Sequence, residues 1–214
     1  MNAEATIVHE LAGLLSGVWS FAEIVESRPD NPEREAFISL LREESKKAAQ
    51  TMRDFQLLKS IEAGRGGEAT GPVWLRELLA SAADGSEHRA LLDELAADVS
   101  DDAPAVLADA GALTGLLVRL IDVSADVCDG TPKVRFHQGE RGLELHLDCG
   151  SVPLSEVSAG IQRGEGRMRI LYLARRLIEP WGGKVDAEER GATTVAVLHL
   201  ASRTTARSLK VVSG

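Results

Sequence analysis

Cysteine, aromatic residues and basic charge are all scarce in this sequence. The 214 residues include two cysteines, Cys128 and Cys149, which have no CxxC spacing and no histidines around them at metal-ligand intervals. A disulfide framework or a zinc site is therefore not expected, and a reducing cytoplasm fits this composition best. The net charge of -9 argues against nucleic acid as a partner, because proteins that bind it usually present a basic surface.

The sequence also has little that resembles a targeting or membrane segment. It begins without a basic stretch followed by a long apolar core. We find no run of the roughly 20 apolar residues that a membrane-spanning helix requires. From these absences we expect a cytoplasmic protein that is neither secreted nor embedded in a membrane.

The residues that are present indicate a soluble, folded chain, with 44% hydrophobic and 27% charged residues. Its length allows one large domain or two small ones. Residues 64–72 are rich in glycine and break every helical pattern, which indicates a linker. We therefore expect one domain at residues 1–66, a second at residues 67–203 and a polar tail at residues 204–214.

Two long amphipathic helices are predicted in the first domain. The first covers residues 6–27, and the second runs to about Glu62, with Asn31 as its cap and Pro32 at its first position. Two helices cannot bury both apolar stripes by themselves, so we expect a homodimer that forms a four-helix bundle. The stripes contain Ile7, Leu11, Leu14, Leu15, Val18, Ala22 and Val25 in the first helix, and Phe37, Leu41, Ala48, Met52, Phe55 and Leu58 in the second.

The second domain mixes helical and strand patterns. Helices are predicted at residues 73–83, 110–125 and 166–178, and strands at residues 134–136, 143–147 and 194–200. This combination predicts an α+β domain with a sheet that helices cover on one side.

His9 is the candidate nucleophile of the first helix. It follows Ile7 by two residues, which places it near the opposite side of the helix from the apolar stripe and therefore in water. An exposed imidazole is a competent nucleophile near pH 7, and the adjacent Glu10 can orient the ring or take its proton. Small residues share the face of His9 and leave room for another protein to approach: Gly13, Ser16, Gly17 and Ser20.

The segment from His9 to Ile24 resembles the phosphoacceptor box of histidine kinases, where a His-Glu pair opens a run that ends in an aromatic residue and a Glu-Ile or Glu-Leu pair. Residues 54–64 resemble the end of that family's second dimerisation helix, and residues 73–79 the opening of its ATPase domain. The resemblance extends from about residue 6 to residue 200. It implies an α+β fold in which a dimerising two-helix hairpin, forming a four-helix bundle, precedes a histidine-kinase-like ATPase domain of α/β sandwich type.

Two of the family's ATP-binding motifs lack residues that contact magnesium or nucleotide in the family. Arg119 and Val123 stand where the family places its magnesium-binding asparagines, and valine cannot bind a metal. Asp148 and Gly150 retain part of the loop that reads adenine, as a relic nucleotide position, but the usual second glycine is missing.

The glycine-rich lid of the family is altered as well. Met168 and Ile170 replace two of its glycines, which serve there because backbone amides must approach phosphate closely. We therefore expect these side chains to close the nucleotide cradle and ATP binding to be lost. The neighbouring Arg167 and Arg169 are expected on a solvated surface.

The resemblance thus implies a histidine phosphotransferase of a two-component phosphorelay. His9, assisted by Glu10, would carry phosphoryl groups between the aspartates of receiver domains, without hydrolysing ATP. The protein would need no cofactor or metal of its own, because Mg²⁺ comes with the receiver. Its partners would be response-regulator and hybrid-kinase receiver domains, and the docking face would be that of Gly13, Ser16, Gly17 and Ser20.

Two alternatives stay open. One is a divergent kinase that still uses ATP through Asp148 and unconventional metal ligands. The other is a phosphorylation-inert dimer that sequesters or dephosphorylates a response regulator. Gly13 weakens the phosphatase version, because the resembling phosphatases usually place threonine or asparagine there to position water.

Overall fold

The computed structural model describes residues 3–28, 31–64, 69–84, 89–127, 134–139, 142–164 and 168–202. The chain divides into two compact units, Met1–Glu62 and Ala63–Gly214. Several positions singled out above lie outside the described residues: the centre of the predicted linker at 65–68, Cys128, Arg167 and the predicted tail at 204–214. The side chain of Val123 is also outside the described part.

The first unit is a hairpin of two long helices, α1 (Ala3–Ser27) and α2 (Arg34–Glu62). The helices are antiparallel and pack along most of their length. Ile7 and Leu58 are fully buried near the open end, and the rings of Phe21 and Phe37 lie 6.4 Å apart near the turn. The predicted pair of amphipathic helices is therefore confirmed.

Local polar contacts fix both ends of the hairpin. At the turn, the side-chain oxygen of Asn31 accepts a hydrogen bond of 2.9 Å from the backbone N–H of Glu33. Asn31 thus caps the turn that leads into α2, and α2 begins at Arg34, two residues after the predicted first position at Pro32. At the open end, Lys59 Nζ lies 2.6 Å from Glu4 Oε1 and joins the end of α2 to the start of α1.

The second unit contains a four-stranded antiparallel sheet with strand order β3-β4-β6-β5 and a separate two-stranded sheet of β1 and β2. Its strands are β1 (Gly71–Val73), β2 (Val106–Ala108), β3 (Val134–Gly139), β4 (Gly142–Asp148), β5 (Lys184–Arg190) and β6 (Thr193–Ala201). Its helices are α3 (Leu75–Ala83), α4 (Arg89–Asp98), α5 (Ala110–Val127), α6 (Leu154–Arg163) and α7 (Arg169–Ile178), and a 3-10 turn follows at Glu179–Trp181. The unit is α+β, as predicted.

The four-stranded sheet has one apolar and one polar face, because side chains alternate along each strand and the register keeps paired residues on the same side. The apolar face carries Val134, Phe136, Leu143, Leu145, Leu147, Val185, Ala196, Leu198 and Leu200. Helices α6 and α7 contact β5 and β6 and cover this face with their own buried side chains. The polar face includes Arg135, His137, Glu144, His146, Asp148, Asp186, Glu188, Arg190 and His199.

Some predicted boundaries are wrong. Gly71 and Pro72, taken as linker, and Val73, taken as helical, form β1 and pair with β2. Strand β5 and the helices α4 and α6 were not predicted. The three strands that were predicted are present and are longer by one to three residues at one or both ends.

Candidate functional site

Helix α1 presents three different faces. One packs on α2 and contains the fully buried Ile7. A second is apolar but exposed, and a third carries His9 among small residues. At 100° per residue, His9 lies about 160° around the helix from Ile7, so the inward packing of Ile7 turns His9 to solvent.

The surface around His9 has low relief. Gly13 is exposed, and a Cβ atom added there would have nothing within 4 Å. The hydroxyls of Ser16 and Ser20 donate hydrogen bonds of 3.0 and 2.9 Å to the carbonyls of Ala12 and Ser16, so both side chains fold back on the helix. The imidazole therefore stands above a surface that another helix or loop can approach.

Two of the predicted site residues point toward α2 instead. Glu10 is half-buried, and the buried Thr51 donates a 3.5 Å hydrogen bond to its Oε1 atom. Gly17 is half-buried too, since a Cβ atom there would lie 3.6 Å from Oε2 of Glu44. Glu10 is thus directed toward Thr51 of α2, and Gly17 lies at the edge of the open face.

An exposed apolar stripe on α1 was only partly predicted. Val8, Leu15 and Trp19 are 49%, 52% and 75% exposed, although all three are large and apolar. Their spacing of seven and four residues places them within about 40° of one another around the helix. Only Leu15 was assigned to the apolar stripe, and the same spacing in the sequence would have found the other two.

The residues at the altered lid are buried in the second unit. Met168 and Ile170 are each 1% exposed. A Cβ atom on Gly160 of α6 would lie only 2.0 Å from Cβ of Met168, so the methionine occupies the space beside that glycine. Arg169 is 4% exposed, so the expectation that it lies on a solvated surface is wrong. Seven of the ten residues of α7 are buried, and Arg169 is among them.

The position equivalent to the family's magnesium site does not offer a metal ligand. Arg119 is 7% exposed on α5, and a guanidinium is a permanent cation that only donates hydrogen bonds. Among the described residues, no group of three or more histidine, cysteine, aspartate or glutamate side chains is arranged to hold a metal ion. The structure thus has a buried guanidinium at the position where the resembling kinases have a metal-binding asparagine.

Asp148 lies on the polar face of the sheet, paired with Val195 of β6. Its Oδ1 atom accepts a 2.9 Å hydrogen bond from the N–H of Gly150, which adopts a left-handed φ of 58°. The next residue, Cys149, is fully buried. The Asp-x-Gly sequence thus forms a tight turn, and the Asp148 side chain lies on the opposite face of the sheet from α7 and the altered lid.

Comparison with solved structures identifies the fold. Histidine kinase AdeS of Acinetobacter baumannii is 13% identical, with a TM-score of 0.62, and the match covers 91% of this chain and 98% of that one. Histidine kinase ThkA, solved in complex with the response regulator TrrA, is 14% identical, with a TM-score of 0.63 and coverage of 92% of this chain and 60% of that one. Full-length ShkA, solved in complex with AMPPNP, is 19% identical, with a TM-score of 0.50 and coverage of 93% and 46%.

The chain has a histidine-kinase-like core. Its helical hairpin corresponds to the dimerisation and phosphoacceptor part of that fold, and its antiparallel sheet unit to the ATPase-like part. Neither a protein-family model nor a curated protein matches the sequence. At these identities the likeness establishes the fold, and the chain spans about half to three fifths of the ThkA and ShkA chains.

Helix α1 is also long and apolar enough to cross a membrane, since the segment Glu4–Ser27 reaches a mean hydropathy of 1.2. The expectation that no stretch of this sequence reaches that length is therefore wrong for α1. The core helix of a soluble protein and a signal sequence near the N-terminus pass the same test, and 6% of the apolar window is buried. In the hairpin, part of the apolar surface of α1 packs on α2, with Ile7 fully buried.

Proposed function

We propose that this protein is a histidine phosphotransferase in a two-component phosphorelay, with His9 as the phosphoryl carrier. A ring nitrogen of His9 attacks the phosphorus of a receiver's aspartyl phosphate. The N–P bond forms as the acyl phosphate P–O bond breaks, the aspartate leaves as a carboxylate, and the imidazole releases its proton. Transfer to a second receiver is the reverse of these steps. The observation that carries the proposal is an exposed His9 on the first helix of a kinase-like hairpin, in a chain whose lid position is filled by Met168.

The open surface around His9 supports docking of a receiver. Gly13, Ser16 and Ser20 are exposed and short, so the approach to the imidazole is unobstructed on that side. Glu10 follows His9 in the chain and accepts a hydrogen bond from Thr51, and in this proposal its carboxylate accepts or orients the departing proton. Magnesium is expected in the acidic pocket of the receiver, so this chain supplies nucleophile, orientation and docking surface. ThkA, whose fold this chain shares, was solved with a response regulator.

Three features support transfer without ATP. Met168 is at a position where the resembling kinases have a glycine that lets backbone amides reach phosphate. Its side chain occupies the space beside Gly160 of α6. Arg119 replaces a metal-binding amide, and Asp148 lies on the other face of the sheet from the lid. No step of the proposed reaction passes through nucleotide.

A second copy of the hairpin is the proposed cover for Val8, Leu15 and Trp19. Large apolar side chains that form a stripe on a helix favour association, and a two-helix hairpin completes a four-helix bundle by pairing with itself. We therefore propose a cytoplasmic homodimer that buries this stripe.

The test uses a receiver domain loaded with ³²P from labelled acetyl phosphate. Wild-type protein is expected to take up acid-labile label, and His9→Gln to take up none while keeping its helical circular dichroism. Ser155→Ala, at an exposed position on α6 in the second unit, is the matched control and should label as wild type does. Equal labelling of wild type and His9→Gln would refute the role of His9, and receiver binding without any phosphohistidine would favour the inert dimer.

A further inference from the structure

The polar face of the four-stranded sheet carries a network that phosphotransfer at His9 does not use. His146 Nε2 lies 2.9 Å from Glu144 Oε2, and Arg190 Nη1 lies 2.9 Å from His146 Nδ1. His199 adjoins Glu144 and Asp186, with nitrogen to oxygen distances of 3.1 and 3.3 Å. Histidine and arginine side chains from all four strands thus meet on one face.

Hydrogen bonding fixes the tautomer of His146. A guanidinium has only donors, so Nδ1 of His146 must accept from Arg190, and the proton of the ring is on Nε2, which donates to Glu144. Burial is the largest influence on the imidazole and lowers the pKa of His146 below its ordinary value, and the nearby His137 and Arg190 act in the same direction. The His146 ring is therefore neutral and is held in one orientation by Glu144 and Arg190.

A cleft of about 330 Å³ opens beside the His146 ring, and it is lined by Arg135, His137, His146, Asp148, Arg190 and Val195. The rings of His137 and His146 lie 4.2 Å apart, tilted by 33°, and form one side. Arg135 is directly opposite His146 in the register of β3 and β4. The volume falls in the range of small-molecule sites, which begins at roughly 300 Å³.

Both arginines of the cleft keep capacity for a ligand. Among the described residues, Arg190 uses Nη1 on His146 and Nε and Nη2 on Glu188, which accounts for three of its five N–H groups. The guanidinium nitrogens of Arg135 lie 3.5 and 3.6 Å from carboxylate oxygens of Asp98 and Glu94, and the side chain is 58% exposed. Such loose, exposed pairs contribute little and can exchange for a better-oriented anion.

The residues that line the cleft carry charges of both signs, with cations in excess. Its lining has two guanidinium groups and one carboxylate, whereas the protein has a net charge of -9. Guanidinium forks match phosphate and carboxylate geometry.

We propose that this cleft binds a small molecule through an oxyanion group, held between Arg135 and Arg190, with its body against the paired rings of His137 and His146. The ligand class is a phosphate monoester or a carboxylate of low molecular mass. The site is on the opposite face of the sheet from the altered lid, and the proposal does not depend on phosphotransfer at His9.

The test follows the histidine side-chain resonances of the full-length protein by ¹H–¹⁵N NMR at constant ionic strength. Inorganic phosphate and acetate are titrated as the two probes, with chloride as the reference salt. Saturable shifts of His137 and His146 with one probe, and none with chloride, are expected, and the probe that binds more tightly assigns the source of the oxyanion. Shifts that never saturate, or that chloride reproduces, would overturn the proposal as an effect of ionic strength.

Three variants complete the test. Arg135→Gln, at an exposed side chain, should weaken binding by about tenfold or more, as expected for loss of a charged hydrogen-bond donor. Arg135→Lys should restore part of the affinity. Arg175→Gln, which removes an equal charge next to Glu179 on α7, is the matched control and should bind as wild type does. Equal affinity of Arg135→Gln and Arg175→Gln would contradict the assignment of Arg135.

Discussion

At the scale of single residues, Gly160 and Met168 show how the lid region packs in the second unit. A Cβ atom on Gly160 would lie 2.0 Å from the Cβ atom of Met168, so a side chain does not fit at Gly160 while Met168 keeps this position. The buried methionine fills this space with packing contacts. Gly160 and Met168 thus form a matched pair in which one residue is small because the other is large.

Substitution at Gly160 tests this packing. Gly160→Ala would place a methyl group 2.0 Å from Met168 Cβ, and overpacking of this kind costs about 1–3 kcal/mol of unfolding free energy. Gly115→Ala is the control, because a Cβ atom there has nothing within 4 Å and alanine favours a helix by about 0.5–1 kcal/mol. Urea titration of both variants is the measurement. Equal stabilisation by the two substitutions would show that Met168 does not pack as described.

His146 gives the second residue-scale prediction, a loss of stability in mild acid. The folded state lowers the pKa of His146 from its ordinary value of 6.5, chiefly through burial. Below pH 6.5 the unfolded chain therefore binds more protons than the folded one, and the free energy of unfolding falls as the pH falls through this window. Above pH 6.5 the group contributes no pH dependence.

The measurement is urea unfolding between pH 5 and pH 8 for wild type and His146→Gln. We expect a shallower dependence on the acid side for the variant, because glutamine does not titrate. Glu144 must be considered as well: burial would raise its pKa, but the hydrogen bond from His146 and the charge of His199 together lower it. Identical pH profiles for the two proteins would contradict the role given to His146.

At the scale of elements, α1 has three faces: one packs on α2, one is apolar and exposed, and one carries His9. The exposed stripe of Val8, Leu15 and Trp19 borders the face of His9 without including it. Dimer formation can therefore bury the stripe and leave the imidazole accessible.

Trp19→Glu is expected to weaken association of the hairpins. Loss of a central tryptophan at an interface costs about 2 kcal/mol or more, which corresponds to roughly a 30-fold rise in the dimer dissociation constant, and the added charge increases the effect. Ser81→Glu adds the same charge at an exposed position of α3, outside the hairpin, and should not change association. Sedimentation velocity over a range of concentrations measures both. A Trp19→Glu protein as dimeric as the control would mean that another surface holds the dimer.

The elements also show how far the sequence alone could reach. Helices α1 and α2 were predictable because a 3.6-residue pattern repeats over many turns. Strand β5 was not, because Val185 is its one buried residue and its pairing with β6 depends on distant contacts. Helix α6 did carry signals, with Pro153 before it and Gly164 after it, but its ten residues make a short window.

The candidate site was predictable to a similar degree. The exposure of His9 follows from its angle to Ile7, because both belong to one helix. The inward direction of Glu10 and Gly17 depends on Thr51 and Glu44 of α2, which no local pattern reveals. The face of Asp148 could have been read from the sequence, because it directly follows Leu147 and adjacent strand residues point to opposite sides.

At the scale of the whole molecule, a histidine-kinase-like fold carries an exposed histidine in one unit and a filled lid position in the other. We propose that the hairpin supplies the nucleophile, His9, and that the sheet unit keeps the fold without binding ATP. The cleft of Arg135 and Arg190 would give the sheet unit a binding role of its own.

The most direct test of this account offers His9 two phosphoryl donors under identical conditions. Wild-type protein is incubated with γ-³²P-ATP and Mg²⁺ in one reaction and with a ³²P-labelled phospho-receiver in the other, and phosphohistidine is identified after alkaline hydrolysis. We predict label on His9 from the receiver and none from ATP. Label on His9 from ATP, or label from the receiver that persists in His9→Gln, would contradict the account.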